Sequence, residues 1–341
     1  MSDVLGEPVQ GKRAWTRADL DKDDGWNLVL SAAEIGELEQ SARTLPDDLA
    51  AWVRMSRDDV KAPQLAATLQ RASDEIENGF GFAKISGLDI SRYDADMLHR
   101  TYWIIAVLLG NVITQNAKGE LIGYVTDKIA GAPRGDNDRG YTSSDELRFH
   151  CDGGEVSALF CVRQAPTGGV NSIVSLLSVY NEILEKHPEH LETLYRGFPI
   201  YMRKEGNDAR LGKVNERRIP SISEKDGRIT AWVNLKLAEL ASSLSDSPFS
   251  ESDMSALKII EEVAEQEALK FDFRLAPGEL VIVNNLSLMH KRSAFQDDPD
   301  PDKKRLLLRL WLNLYSRPDV HPNVAGVMKG FGATQPIITA A

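Results

Sequence analysis

The sequence predicts a mainly β protein with flanking helices, arranged as a sandwich or barrel. Three observations lead there. Short apolar or alternating runs, each closed by Gly, Pro, Asn or Asp, recur between residues 80 and 315. Helical patterns sit before and between those runs and do not alternate strictly with them, which argues against a parallel βαβ sheet. The run RLLLRLWLNLY at 305–315 is apolar on both faces, so it belongs at the centre of a sheet.

Taken in order, residues 1–60 hold two acidic segments around Trp15 and Trp26 and a helix over 31–44. They read as an extension packed on the outside of one larger unit, 61–341. Leu65, Leu69, Ala72 and Ile76 recur at helical spacing, and that helix stops at Asn78-Gly79. Residues 80–85 alternate as a strand. A helix over 95–109 ends at Gly110, and its His99 reads as a surface or helix-end residue. Gln115-Asn116-Ala117-Lys118-Gly119 forms a polar turn before a strand over 121–125. The segment 128–146 is rich in Gly, Asp, Arg and Ser, lacks periodicity and runs straight into His150, so it reads as a lid or active-site loop.

Strands follow at 156–162 and 170–177 around a turn at 165–169, then a helix over 178–186 that breaks before Pro188. His187 and His190, in the KHPEH run, read as solvated. Residues 198–202 and 229–235 read as strands joined by a polar loop. A helix over 252–269 buries Leu257, Ile260 and Ala264. Phe271, Phe273 and Leu275 alternate, Pro277-Gly278 turns, and a strand over 279–284 leads to His290. On the strand 305–315 the leucines at 306, 308, 310, 312 and 314 share one face; Arg305, Leu307, Arg309, Trp311 and Asn313 share the other. Two arginines on a buried face require anionic partners, because an unpaired buried charge is costly. The tail from Pro318 reads as irregular and peripheral.

Composition narrows the class. With 51 acidic against 40 basic residues the net charge is −11, which argues against nucleic acid or an anionic membrane as partner. The first thirty residues lack an apolar signal core, and no run is long enough to span a bilayer. Cys151 and Cys161 are too few for a disulfide framework and read as two buried thiols. A cytoplasmic protein is expected.

The chemistry centres on Phe149-His150-Cys151-Asp152-Gly153-Gly154. On a strand His150 and Asp152 share a face. With the distant His290 they can supply a facial triad of two histidines and one carboxylate, which holds Fe(II) and leaves three positions open. A His-x-Asp triplet alone is common by chance, so its surroundings make the case. Phe-His-x-Asp, the Gly168-Gly169 turn and His290 followed by an arginine-bearing strand together resemble the iron(II)- and 2-oxoglutarate-dependent dioxygenase superfamily. The narrower resemblance is to its taurine dioxygenase-like and clavaminate synthase-like branch, over residues 75–318.

That resemblance implies a double-stranded β-helix (jelly-roll, clavaminate synthase-like) core with iron between the sheets. Fe(II) would be held by His150, Asp152 and His290, with 2-oxoglutarate as co-substrate and O2 as oxidant. It assigns Arg305 to the far carboxylate of 2-oxoglutarate and Arg309 to an acidic group on the substrate, with the exchange of those roles left open. Where relatives carry Thr or Ser after the Gly-Gly turn as a 2-oxoglutarate contact, this chain has Asn171, then Ser172. Gln115 and Asn116 resemble a polar patch lining the substrate pocket.

The implied reaction couples decarboxylation of 2-oxoglutarate, giving succinate and CO2, to hydroxylation of an unactivated C–H in a small metabolite, anionic or amino-acid-like. Desaturation and ring closure are variants on the same site. Asp152 argues against a halogenase, which carries a small residue there. Two other readings compete. One is a cupin-like hydrolase or isomerase using the triad with zinc or manganese and no 2-oxoglutarate, against which Arg305 counts. The other is a non-catalytic jelly-roll binder that kept a metal site. A homodimer is the expected assembly, as the commonest one.

Overall fold

The computed structural model describes residues 5–129, 135, 139–204, 211–316, 318–331 and 337–338. The strands of its two main sheets, in chain order, begin with β1 (Asn27–Val29), β2 (Phe82–Ser86), β3 (Gly110–Ile113), β4 (Glu120–Val125), β5 (Leu147–His150) and β6 (Val156–Arg163). They continue with β7 (Asn171–Ser175), β8 (Lys270–Phe273), β9 (Leu280–Asn284), β10 (Leu288–Arg292), β11 (Leu306–Leu314) and β12 (Ile337–Ile338). The major sheet runs β1-β2-β9-β6-β11-β4-β12, with β3 also pairing to β11. The minor sheet runs β8-β7-β10-β5. Phe82, Val281, Val283 and Leu307 of the first meet Ile173 and Leu288 of the second in one buried cluster, so the two sheets form a jelly-roll sandwich.

Helices cover both outer faces. Against the major sheet lie α1 (Ala32–Thr44), α2 (Pro63–Asn78) and α3 (Ala95–Leu109), which bury the five leucines of one β11 face. Each leucine so covered contributes about 1.5–3 kcal/mol. Against the minor sheet lie α4 (Leu176–Lys186), α5 (Leu235–Ser243) and α6 (Glu251–Ala264), packed on Val174 and Met289. Local chemistry sets their ends. Ser31 with Glu34 and Ser250 with Asp253 form capping boxes, Asp94 caps α3 by accepting from the Met97 N–H, and Pro63 opens α2.

The β11 reading holds on both faces, since every residue of the strand except Asn313 is buried. Several boundaries differ. The strand expected over 229–235 ends at Ala231, and Leu235 instead begins α5. The reason is Asn234, whose side chain accepts from the Leu237 N–H and caps a helix. Ser175 does the same at the end of β7, so 176–177 begin α4. The helix predicted over 252–269 stops at Ala264. At the N-terminal side, β1 pairs in parallel with β2 at the sheet edge, and Trp15 is buried, its indole N–H donating to the Phe80 carbonyl at 2.7 Å. Both cysteines are buried free thiols.

Candidate metal centre and active site

The site lies between the sheets at one end. β5 and β10 pair antiparallel with His150 opposite His290, which brings the two rings to a centroid distance of 4.4 Å. β5 ends at His150. Cys151 then turns away, its N–H bonded to the Val233 carbonyl, and Asp152 returns to the histidines' side. His150 Nε2 lies 4.0 Å from Asp152 Oδ1, and His290 Nε2 lies 3.7 Å from Oδ2. The three ligand atoms all fall within 4.8 Å of one another, close enough to surround one ion at ordinary bond lengths.

Neighbouring groups fix the chemical state of these donors. His150 Nδ1 donates to the Arg148 carbonyl at 2.8 Å, which leaves Nε2 as the lone-pair nitrogen facing the site. Burial pushes both imidazoles down, His290 to about 3, so both are neutral. Burial pushes the Asp152 carboxyl up, but the Arg309 guanidinium leads the opposing effects, and the result lies well below the usual carboxylate range. Two neutral imidazoles and one carboxylate on one face form a donor set suited to Fe(II) with open positions.

One cavity leads from the triad to Arg305, past Asn171, Leu307 and Arg309. Arg305 is 1% exposed, and its Nε and Nη1 have no hydrogen-bond partner; neither does the Asn171 Nδ2. Burial pushes the guanidinium down to about 10. The Gly-Gly turn makes room for it. At Gly169, with φ 67°, an added Cβ would stand 3.1 Å from Arg305 Nε; at Gly168, with φ 76°, it would strike the Ala294 carbonyl oxygen at 2.2 Å.

Arg309, one strand repeat further on, is held differently. Its Nε donates to Gln115 Oε1 at 2.8 Å, its Nη1 approaches Asp152 Oδ2 at 3.4 Å, and Tyr141 covers it at 4.3 Å. The amide of Gln115 donates in turn to the Leu121 and Arg309 carbonyls, both at 2.7 Å. Gln115 therefore reaches the site through Arg309. Asn116 shapes its own turn, accepting from the N–H groups of Lys118 and Glu120. On the other side of Asp152 a second chamber is walled by Ile200, Met202, Trp232, Trp311 and Val327, with Arg139 and Arg203 at its rim.

Of the segment 128–146, Arg139, Gly140, Tyr141 and Glu146 border the site, while 130–134 and 136–138 lie outside the described residues. His99 is tied to the Tyr124 hydroxyl through Nε2 at 2.6 Å and stands apart from the triad. The sequence reading did not single out Tyr141, Trp232, Asn234 or Ser157. Trp311 carried a signal in its β11 face, shared with Arg305 and Arg309.

FR-33289 synthase of Streptomyces rubellomurinus is 26% identical over 318 residues, covering 92% of this chain and 93% of that protein. The taurine hydroxylase-like protein SAT17 of Stachybotrys chartarum is 26% identical over 90% of this chain and 80% of its own length. Asparagine oxygenase in complex with Fe(II), 2S,3S-3-hydroxyasparagine and succinate superposes with a TM-score of 0.66 at 19% identity, covering 84% of this chain and 93% of that one. The non-heme iron oxygenase OrfP in complex with Fe and alpha-ketoglutaric acid does so with a TM-score of 0.62 at 14% identity, covering 84% and 93%. Residues 42–311 match the family described as taurine catabolism dioxygenase TauD, TfdA, and the chain belongs to that family.

Proposed function

We propose that the protein is an Fe(II)- and 2-oxoglutarate-dependent oxygenase. It hydroxylates an unactivated C–H of a small, anionic or amino-acid-like metabolite and releases succinate and CO2. The observation that carries this reading is the buried Arg305 guanidinium, two of whose nitrogens have no hydrogen-bond partner, on the cavity that opens onto the triad. A dicarboxylic co-substrate supplies an acceptor for those two nitrogens and an anion for the buried cation.

His150 Nε2, His290 Nε2 and Asp152 would hold the iron. Arg305 would take the far carboxylate of 2-oxoglutarate through parallel hydrogen bonds, with the Asn171 amide as a further donor. When bound, iron and 2-oxoglutarate together activate O2 and supply the oxidant for the C–H bond. The chain's own residues set the geometry. Arg309 holds Asp152 on one side and keeps a buried Nη2 without a partner on the other, available to an anionic group of the substrate. The apolar walls of the second chamber exclude water around the substrate's carbon skeleton.

Support for the substrate class comes from two sides. Arg139, Arg203 and Lys236 border the site, which favours an anionic molecule. The neighbouring structures hold 3-hydroxyasparagine and, in OrfP, (3S)-hydroxy-L-Arg, which favours an amino-acid-like one. Among the described residues no helix is long and apolar enough to cross a membrane, and both thiols are free. The test is aerobic incubation with Fe(II), 2-oxoglutarate and a panel of amino acids and small organic acids. The expected result is succinate release that rises with one class of acid and needs iron and O2. Product formation that is independent of O2 and 2-oxoglutarate would contradict the proposal.

A further inference from the structure

The Asp152 carboxylate is held unequally. Its Oδ2 receives the Ser157 hydroxyl at 2.8 Å, the Trp311 indole N–H at 3.1 Å and Arg309 Nη1 at 3.4 Å. Among the described residues no hydrogen bond is made to Oδ1. Both oxygens face the imidazoles, Oδ1 at 4.0 Å from His150 Nε2 and Oδ2 at 3.7 Å from His290 Nε2, but an oxygen that already accepts three donors has little capacity left for a cation, so Oδ1 is the one left for the metal.

Trp311 is the member of this set whose presence the chain has most evidently accommodated. Its indole is 4% exposed and lies directly over the two glycines that follow Asp152. A Cβ at Gly153 would stand 3.2 Å from the outer indole ring, and one at Gly154 would stand 2.8 Å from the Trp311 Cβ. Neither glycine has a positive φ, so clearance for residue 311, and not backbone conformation, accounts for them, and at Gly153 the clearance is for the indole ring itself. The indole also flanks Arg309, whose guanidinium lies 5.0 Å from its centroid. One tryptophan thus contacts both the carboxylate and the cation that neutralises it.

We propose that Trp311 is a positioning residue for the metal ligand Asp152. Together with Ser157 and Arg309 it occupies Oδ2 and restricts Asp152 to a single-oxygen bond through Oδ1. Gly153 leaves the room that the indole ring occupies. The consequence is functional: a carboxylate that cannot chelate through both oxygens leaves one more coordination position for co-substrate and O2. This inference rests on the proposed iron site, and the experiment separates the two.

Trp311→Phe keeps a large aromatic ring and removes the N–H. Co(II), a spectroscopic substitute for Fe(II), is titrated into the metal-free protein and into the variant, with the visible spectrum recorded and thermal unfolding as the control. The variant is expected to bind Co(II) about 10–100-fold more weakly, the range seen when a partner of a metal ligand is lost. Its visible bands should also weaken as the freed carboxylate chelates and the coordination number rises. A purely structural role would lower the unfolding temperature without changing the spectrum of the bound ion. Should the variant not fold, Gly153→Ala presses on the same ring and carries the same expectation. Unchanged affinity and spectrum in a folded variant overturn the role of Trp311 alone. Failure of the unaltered protein to bind Co(II) or Fe(II) overturns the metal site, and this inference with it.

Discussion

Replacing Arg305 by methionine separates two effects of opposite sign that one guanidinium exerts. In the protein without co-substrate this side chain is 1% exposed with two nitrogens lacking partners, so it is a buried cation with poor compensation. Exchanging buried charge for an apolar group of similar volume stabilises by about 1–4 kcal/mol where packing is kept. At roughly 2 °C per kcal/mol for a chain of this size, Arg305→Met should unfold a few degrees higher than the unaltered protein. With 2-oxoglutarate present the sign reverses. Removing one partner of a buried ion pair costs about 3–5 kcal/mol. At 1.4 kcal/mol per decade, that weakens 2-oxoglutarate by about 100- to 4,000-fold. Thermal unfolding of both proteins, with iron under anaerobic conditions, reads both effects at once. Co-substrate at 100 times its dissociation constant should add about 2.7 kcal/mol to the unaltered protein and almost nothing to the variant. Equal stabilisation of the two by 2-oxoglutarate would refute the reasoning and move the anchor to Arg309.

Further outcomes follow from the same contacts. Gln115→Leu removes the acceptor of Arg309 Nε. It should lower stability by about 1–3 kcal/mol, the cost of stranding a buried donor, and reduce turnover more than 2-oxoglutarate affinity, measured by unfolding and by succinate release. Leu310→Ala, in the middle of β11 on the face away from the site, should cost about 2–5 kcal/mol in denaturant unfolding. The folded fraction should bind metal normally, since none of the triad's contacts involves that face. Asn285→Ala loses a bond to the Asp152 N–H at 3.1 Å and another to the Gly154 carbonyl at 2.8 Å. It should weaken metal binding about 10-fold, read by equilibrium dialysis.

Much of this was legible because it depends on short-range pattern. The alternation in RLLLRLWLNLY gave both faces of β11, and the spacing of Leu65, Leu69, Ala72 and Ile76 gave the buried ridge of α2. The convergence of His150 with His290 was not a local property. Strand pairing across 140 residues creates it, and only the resemblance of the motif to a known family anticipated it. What escaped was decided by single side chains acting on the backbone or on each other. Asn234 made Leu235 the start of α5, and Ser175 shortened β7. Gln115 lies on a polar turn, as its sequence suggests, but points its amide at Arg309, a distance no periodicity encodes. Trp311 reads as core by every pattern rule and is buried, yet its one polar atom meets Asp152.

The central claim, that one site chelates Fe(II) and 2-oxoglutarate together, has a direct optical test. Fe(II) and then 2-oxoglutarate are added anaerobically to the protein and to His150→Ala, and the visible spectrum is searched for a metal-to-ligand charge-transfer band. The band should appear only when both are present and vanish in the variant. Its absence from correctly folded, iron-loaded protein would contradict the account and favour a metal-dependent enzyme that works without 2-oxoglutarate.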